Sequence, residues 1–191
     1  MANFRFVQTV PPEAEPVTLQ EARDQVRADN NDEDALLSEY IAAARDYCEK
    51  RTGLPLMPQT FVLYADRFFP EMVLKPNLLE VVAVRYLDVN GDEQTVDAAD
   101  YVANKVGTLG SVYPAYQQQW PQTLPVKNAV QVEFKCGFAS RNKVPDSIRS
   151  AMKLLIGHWF LNREAVVIGA TVSELPAGVE MLLGTNKLWS L

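Results

Sequence analysis

The chain carries one histidine, His158, and two cysteines, Cys48 and Cys136. A multi-histidine zinc site therefore cannot form, and a serine–histidine triad would have a single available base. His158 lies among Leu154, Leu155 and Trp159 on the most apolar helical stretch. That setting points to a packed side chain bonded to a neighbour, since a general base needs a cleft and a nucleophile. Cys48 and Cys136 form no C-x-x-C pair. One disulfide is compatible with the count, but the favoured reading is two reduced, partly buried thiols in a protein made in the cytosol. Asp88, Asp92 and Glu93 crowd the Asn90-Gly91 pair. A cation site or a carboxylate pair is conceivable there. The spacing is not that of an EF-hand loop, and Asp and Asn favour turns for local backbone reasons, so solvated turn carboxylates are expected. There is no phosphate-binding loop, dinucleotide fingerprint, nucleophile elbow or H-E-x-x-H. The expectation is no catalytic residue, no cofactor and no metal.

Residues suited to contact are easier to find. Arg163 and Glu164 follow Asn162 at the end of a helical pattern. They could form an ion pair or meet a partner; a cation near the negative helix pole is the plainer alternative. Ala165-Val166-Val167-Ile168 is an apolar, β-branched run outside the clear helices. It is either core or an exposed docking strand, which would be unusual apolar surface for a monomer. The tail Leu188-Trp189-Ser190-Leu191 raises the same question, and Trp is enriched at interface hot spots. Trp120, before Pro121 in a long loop, either folds back on the protein or meets a partner. Leu188, Trp189, Leu191, Val166, Val167, Ile168, Arg163 and Trp120 are thus the candidate docking residues.

The composition is that of an ordinary globular protein: 191 residues, 48% apolar and 22% charged. A chain of this size buries roughly 70% of its unfolded surface and needs no staples. Eighteen basic against 24 acidic residues leave a net charge of -6, which argues against simple phosphate-backbone binding. The N-terminal stretch lacks the apolar core of a signal peptide, and no apolar run approaches the ~20 residues of a membrane span. A soluble protein not marked for export is expected.

The hydrophobic period that must position these residues changes twice. Thr18 and Glu21 have capping-box spacing, and Leu19, Ala22 and Val26 share the helix face that follows. Asn31 or Asp32 can cap a second helix, along which Leu36, Leu37, Tyr40, Ile41, Ala44, Tyr47 and Cys48 form a stripe. Gly53 and Pro55 stop it. From Gln59 to Cys136 the period is that of strands: 61–64, 72–74, 79–89, 94–96, 101–103, 109–113, and Val130, Val132 and Phe134 alternating with polar residues. Asn90-Gly91 predicts a type I′ hairpin. The stretch from Pro114 to Asn128 is a long loop. A third helix starts near Pro145, with Ile148, Met152, Leu155 and Trp159 on one face and Ala151, Leu154, His158 and Leu161 on the next. A short fourth helix starts near Pro176, turns Val179, Leu182 and Leu183 inward and ends at Gly184. Neither end alone has enough apolar surface for a core. The fold class is therefore α+β: a small helical bundle (residues 1–58 and 141–191) with an antiparallel β domain (residues 59–140) inserted between its second and third long helices.

Taken in order, several of these pieces resemble the gp6-like head–tail connector (adaptor) proteins of tailed phages, in the longer branch with a β insertion. They are Val17-Thr18-Leu19-Gln20-Glu21-Ala22, Asp32-Glu33-Asp34-Ala35-Leu36-Leu37, Cys48-Glu49-Lys50-Arg51-Thr52-Gly53, Val144-Pro145, Leu155 to Glu164, and Leu175-Pro176-Ala177-Gly178-Val179 with Leu182-Leu183. The resemblance implies a non-enzymatic virion protein, made in the host cytoplasm and located at the head–tail junction. It implies a homo-oligomeric ring, as a rule a dodecamer, bound to the portal protein and to a downstream connector, stopper or tail protein. DNA would pass through the lumen without specific binding, and no membrane is involved. C-terminal segments of such adaptors often reach the portal, an expectation that falls here on Leu188, Trp189 and Leu191. The acid excess suits a channel through which DNA slides. A head-to-tail ring needs two different complementary patches on each subunit. Two other readings stand beside this one. One is a ligand- or receptor-binding β module that uses the 114–128 loop with Tyr116 and Trp120. The other is an acid-pair hydrolase built on Asp88 and Asp92.

Overall fold

A computed structural model describes residues 4–162 and 176–188. The chain divides into two compact units, one of residues 1–13 and 58–139, the other of residues 14–57 and 140–191.

The first unit is all β. It contains β1 (Arg5–Val10), β2 (Gln59–Ala65), β3 (Met72–Pro76), β4 (Leu78–Leu87), β5 (Glu93–Thr95), β6 (Tyr101–Asn104), β7 (Leu109–Pro114) and β8 (Val130–Cys136). They form a five-stranded sheet in the order β1-β2-β8-β4-β5 and a three-stranded sheet in the order β3-β7-β6. Every pairing is antiparallel. β8 is central because its alternation is strict: Val130, Val132, Phe134 and Cys136 are buried while Gln131, Glu133 and Lys135 face outward. Both sheets feed one core, with Leu63, Val84, Val132 and Phe134 from the larger and Met72, Leu74 and Val112 from the smaller. Asn77, at a φ of 56°, makes the tight turn by which the chain leaves β3 for β4 and so changes sheets. Where β4 meets β7 the backbones come close. A Cβ on Gly110 would lie 2.4 Å from Cβ of Leu78, so only glycine fits.

The second unit holds α1 (Leu19–Val26), α2 (Asp34–Thr52), α3 (Asp146–Leu161) and α4 (Ala177–Gly184). The capping box at α1 is complete. The Glu21 N–H donates to Thr18 Oγ1 at 3.2 Å, and the Thr18 N–H donates to Glu21 Oε2 at 2.8 Å. α2 ends as its sequence dictates, at Gly53 with a φ of 77° and its N–H bonded to the Glu49 carbonyl at 2.8 Å. Leu37, Ile41, Ala44 and Cys48 of α2 are buried with Ile148, Ala151, Met152, Leu155 and Ile156 of α3 and Val179 and Leu183 of α4. The helices from the two ends of the sequence do share a core.

Four expectations need correction. Residues 1–13 group with the β unit, although residues 1–58 had been assigned wholly to the helices. Arg5–Val10 pairs with β2 at a separation of fifty residues or more, and its mostly outward side chains give no alternation to read. The cap of α2 is Glu33, with no side-chain hydrogen bond, in place of Asn31 or Asp32. Asp32 instead accepts from the side chain of Asn30. The Asn90-Gly91 hairpin is not type I′, because only Gly91 has positive φ, at 91°. The Gly91 N–H reaches the Asp88 carbonyl at 3.0 Å and the Asp88 N–H reaches the Asp92 carbonyl at 2.9 Å, which makes a three-residue loop with glycine in the left-handed position. Finally, the second face expected on α3 is only partly core: Ala151 is buried, but Leu154 is 37% exposed and Leu161 is 83% exposed.

Candidate functional site

The carboxylates at the hairpin do local work. Asp88 Oδ1 accepts from the N–H groups of Asn90 (2.8 Å) and Asp92 (3.1 Å), and Oδ2 accepts from the Gln94 amide (3.3 Å). Burial raises the Asp88 pKa, but the bonds from Asp92, Asn90, Gln94 and Gly91 outweigh it and hold the carboxyl below its ordinary range. The group that motivated an acid-pair hydrolase is thus a turn builder. Among the described residues no three His, Cys, Asp or Glu side chains come together as a metal site. Cys48 and Cys136 are buried and lie in different units, so they do not pair with each other. Burial, with Glu49 beside it, pushes the Cys48 thiol up to about 12, far from nucleophilic use.

What the helical unit offers is a surface. α1 stops where Arg27 adopts left-handed φ (57°), and its N–H returns to the Arg23 carbonyl. α3 stops at Asn162, whose N–H (3.1 Å) and side-chain amide (2.8 Å) both donate to the His158 carbonyl. The same amide lies 3.4 Å from His158 Nδ1, so the half-buried histidine has the neighbour expected of it. These two helix ends and Pro176 border a groove of about 480 Å³, lined by Val26, Arg27, Leu154, His158, Leu161 and Pro176. The walls are mainly apolar, with Arg27 as the charged group.

The helices behind the groove are tied by ion pairs. Arg23 grips Asp34 at the start of α2. Arg45 bridges Glu15 (2.8 Å) and Glu49 (3.2 Å). Arg141 reaches Glu21 at 2.7 Å. α4 is held to α2 by Glu180, which accepts from Tyr47 (2.8 Å) and from Arg51. Those two donors, Arg51 foremost, hold the Glu180 carboxyl below its ordinary range.

The candidate docking residues fare differently. Trp120 folds back. Its ring stacks on Phe68 with centroids 4.5 Å apart and planes 7° apart, against the β core. The loop that carries it is pinned by the Leu124 N–H on the Leu87 carbonyl (3.0 Å) and the Asn128 N–H on Asp66 (2.9 Å), while Tyr116 in the same loop is 90% exposed. Leu188 is used within the helical unit: its N–H donates to the Thr52 carbonyl at 3.0 Å, and its side chain covers Gly53. Arg163, Val166, Val167, Ile168, Trp189 and Leu191 lie outside the described residues. The groove itself was missed by sequence reasoning. Its signal was the second apolar row on α3, Leu154, His158 and Leu161, which a small bundle lacks the helices to cover.

A helical unit with an apolar groove, joined in sequence to a β unit whose acidic turn is structurally occupied, has the make-up of a protein that works by contact. The comparisons with known proteins give that class a family. The sequence model of the head completion protein family matches residues 16–177, and the chain belongs to that family. This bears out the resemblance to phage head–tail connectors and makes the chain a structural virion protein. Among solved structures, it is similar to a chain in the neck of an empty GTA particle computed with C6 symmetry, at 26% identity and a TM-score of 0.74, over 98% of this chain and 97% of that one. It is also similar to a chain in the virion of a native gene transfer agent particle, at 24% identity and a TM-score of 0.77, over 97% and 96% of the two chains. A chain in the neck of a native GTA particle computed with C12 symmetry matches at 24% identity and a TM-score of 0.69, over 99% and 97%. At 24%, those two likenesses speak for the fold. No curated protein sequence matches.

Proposed function

We infer that this chain is a head–tail adaptor: a non-enzymatic subunit of a closed ring beneath the portal, leaving a central channel through which DNA passes without specific binding. The observation that carries the reading is the family match over residues 16–177 together with a likeness to a neck protein that covers nearly the whole of both chains. The C6 and C12 symmetries of those necks favour a dodecameric ring. The net charge of -6 fits a lumen that repels phosphates. In this reading the helical bundle is the connector domain and the β unit an insertion in it. Trp189 and Leu191, which follow Leu188 in sequence, are the proposed portal-contacting residues, and a downstream connector, stopper or tail protein is the second proposed partner of the ring. Mixing purified protein with portal and imaging by electron microscopy tests the reading. A joint particle with a ring seated on the portal supports it, and portal particles left bare overturn it.

A further inference from the structure

The groove beside Leu161 has no counterpart among the contacts described so far. Leu161 is 83% exposed and Leu154 37% exposed, both on the groove wall. Exposed apolar side chains gathered along one groove mark a contact site. The described residues that flank residues 163–175 in sequence, Leu161 two positions before and Pro176 immediately after, both line the groove. Thirteen residues at about 3.3 Å each can reach roughly 20 Å out and return. The stretch also carries the apolar, β-branched run Ala165-Val166-Val167-Ile168.

We propose that this groove takes the Val166-Val167-Ile168 run of a second copy of the chain. The proposal rests on the ring reading. A head-to-tail ring requires a concave patch and a projecting patch on every subunit, set so that each subunit gives one and receives the other. The groove and the run are such a pair, and they lie next to each other along the chain. Branched aliphatic side chains suit walls made by Val26, Leu154, Leu161 and Pro176. Their desolvation gives the contact its energy, at roughly 25 cal/mol per Å² of apolar surface removed from water.

Cysteine pairing tests this, because the native thiols are buried and do not compete. Two variants, Leu161→Cys and Val167→Cys, are made on chains of different tag length, mixed, assembled with portal and oxidised, while particle mass is followed in parallel. The expected result is a covalent heterodimer between the two tagged chains, with rings present. A Leu161→Cys/Val167→Cys double variant should give a ladder of linked subunits. Rings without the heterodimer, or a double variant that closes only within its own chain, overturn the groove assignment while leaving the adaptor reading intact. Absence of any ring overturns both. Leu161→Asp provides the second arm: at an exposed position it should leave the thermal transition in place and reduce ring formation at least tenfold. Unchanged ring formation contradicts the proposal.

Discussion

Gly110 is where the β unit has least room. A methyl group there would lie 2.4 Å from Cβ of Leu78, 2.8 Å from its Cδ2 and 3.1 Å from its Cγ. Ordinary carbon contacts begin near 3.5 Å, so about 1 Å of separation must be found. The Leu78 side chain can turn Cδ2 away by changing rotamer, but its Cβ is fixed to the backbone of β4. Leu78 is also 6% exposed and part of the shared core, so moving it disturbs both sheets. Overpacking of this sort costs about 1–3 kcal/mol and, with backbone involved, the upper end applies. For a unit of this size each kcal/mol shifts Tm by roughly 4–8 °C, so Gly110→Ala should lower the β transition by about 10–20 °C. Trp120, stacked on Phe68, reports on that unit once Trp159 and Trp189 are replaced by Phe, since the chain has three tryptophans. The geometry makes a sharper demand. Leu78→Ala keeps the offending Cβ and should not rescue Gly110→Ala, whereas Leu78→Gly should relieve the clash. A Gly110→Ala protein with the parent Tm, or one rescued by Leu78→Ala, would refute the reasoning.

Three further outcomes follow from the helical unit. Thr18→Ala removes the acceptor for the Glu21 N–H and should cost about 0.5–2 kcal/mol, read by urea unfolding. Cys48, with its thiol pushed up to about 12, should resist alkylation at mildly alkaline pH in the folded protein and react once it is unfolded; rapid native labelling would contradict its burial. Glu180 is held below its ordinary value of 4.5, so its contribution to holding α4 on α2 is present above that value and is lost as pH falls through the lower folded value. Protection of the α4 amides, taken relative to the intrinsic exchange rate at each pH, should therefore fall as pH drops through the carboxylate range, and Glu180→Gln should flatten that dependence.

Much of this architecture is legible in the sequence because it is local. The capping box at Thr18 and Glu21, the stop at Gly53 and the strict alternation of β8 are each decided by residues a few positions apart. The strand segments were readable for the same reason, but their grouping into two sheets was not. That grouping depends on Asn77 turning the chain between sheets and on Gly110 admitting Leu78, and both act between residues distant in sequence. β1 escaped because its partner is far along the chain and its side chains mostly face outward. At the hairpin, Asn90-Gly91 suggested the commonest two-residue turn, but the Asp88 carboxylate selects a longer loop by accepting two backbone N–H groups. Trp120 and Leu188 stand out in the sequence as apolar side chains in a loop and a tail. Both find a partner within their own unit, Trp120 on Phe68 and Leu188 at the end of α2. The groove was legible only as an excess of apolar positions on α3, because which row stays uncovered depends on how many helices pack around it.

The most direct test of the central claim is the particle mass of the purified protein, measured alone and again after incubation with portal. The account predicts a discrete closed ring in the second sample, whether the protein is monomeric or already assembled in the first. A protein that keeps the mass of one chain under both conditions would contradict it.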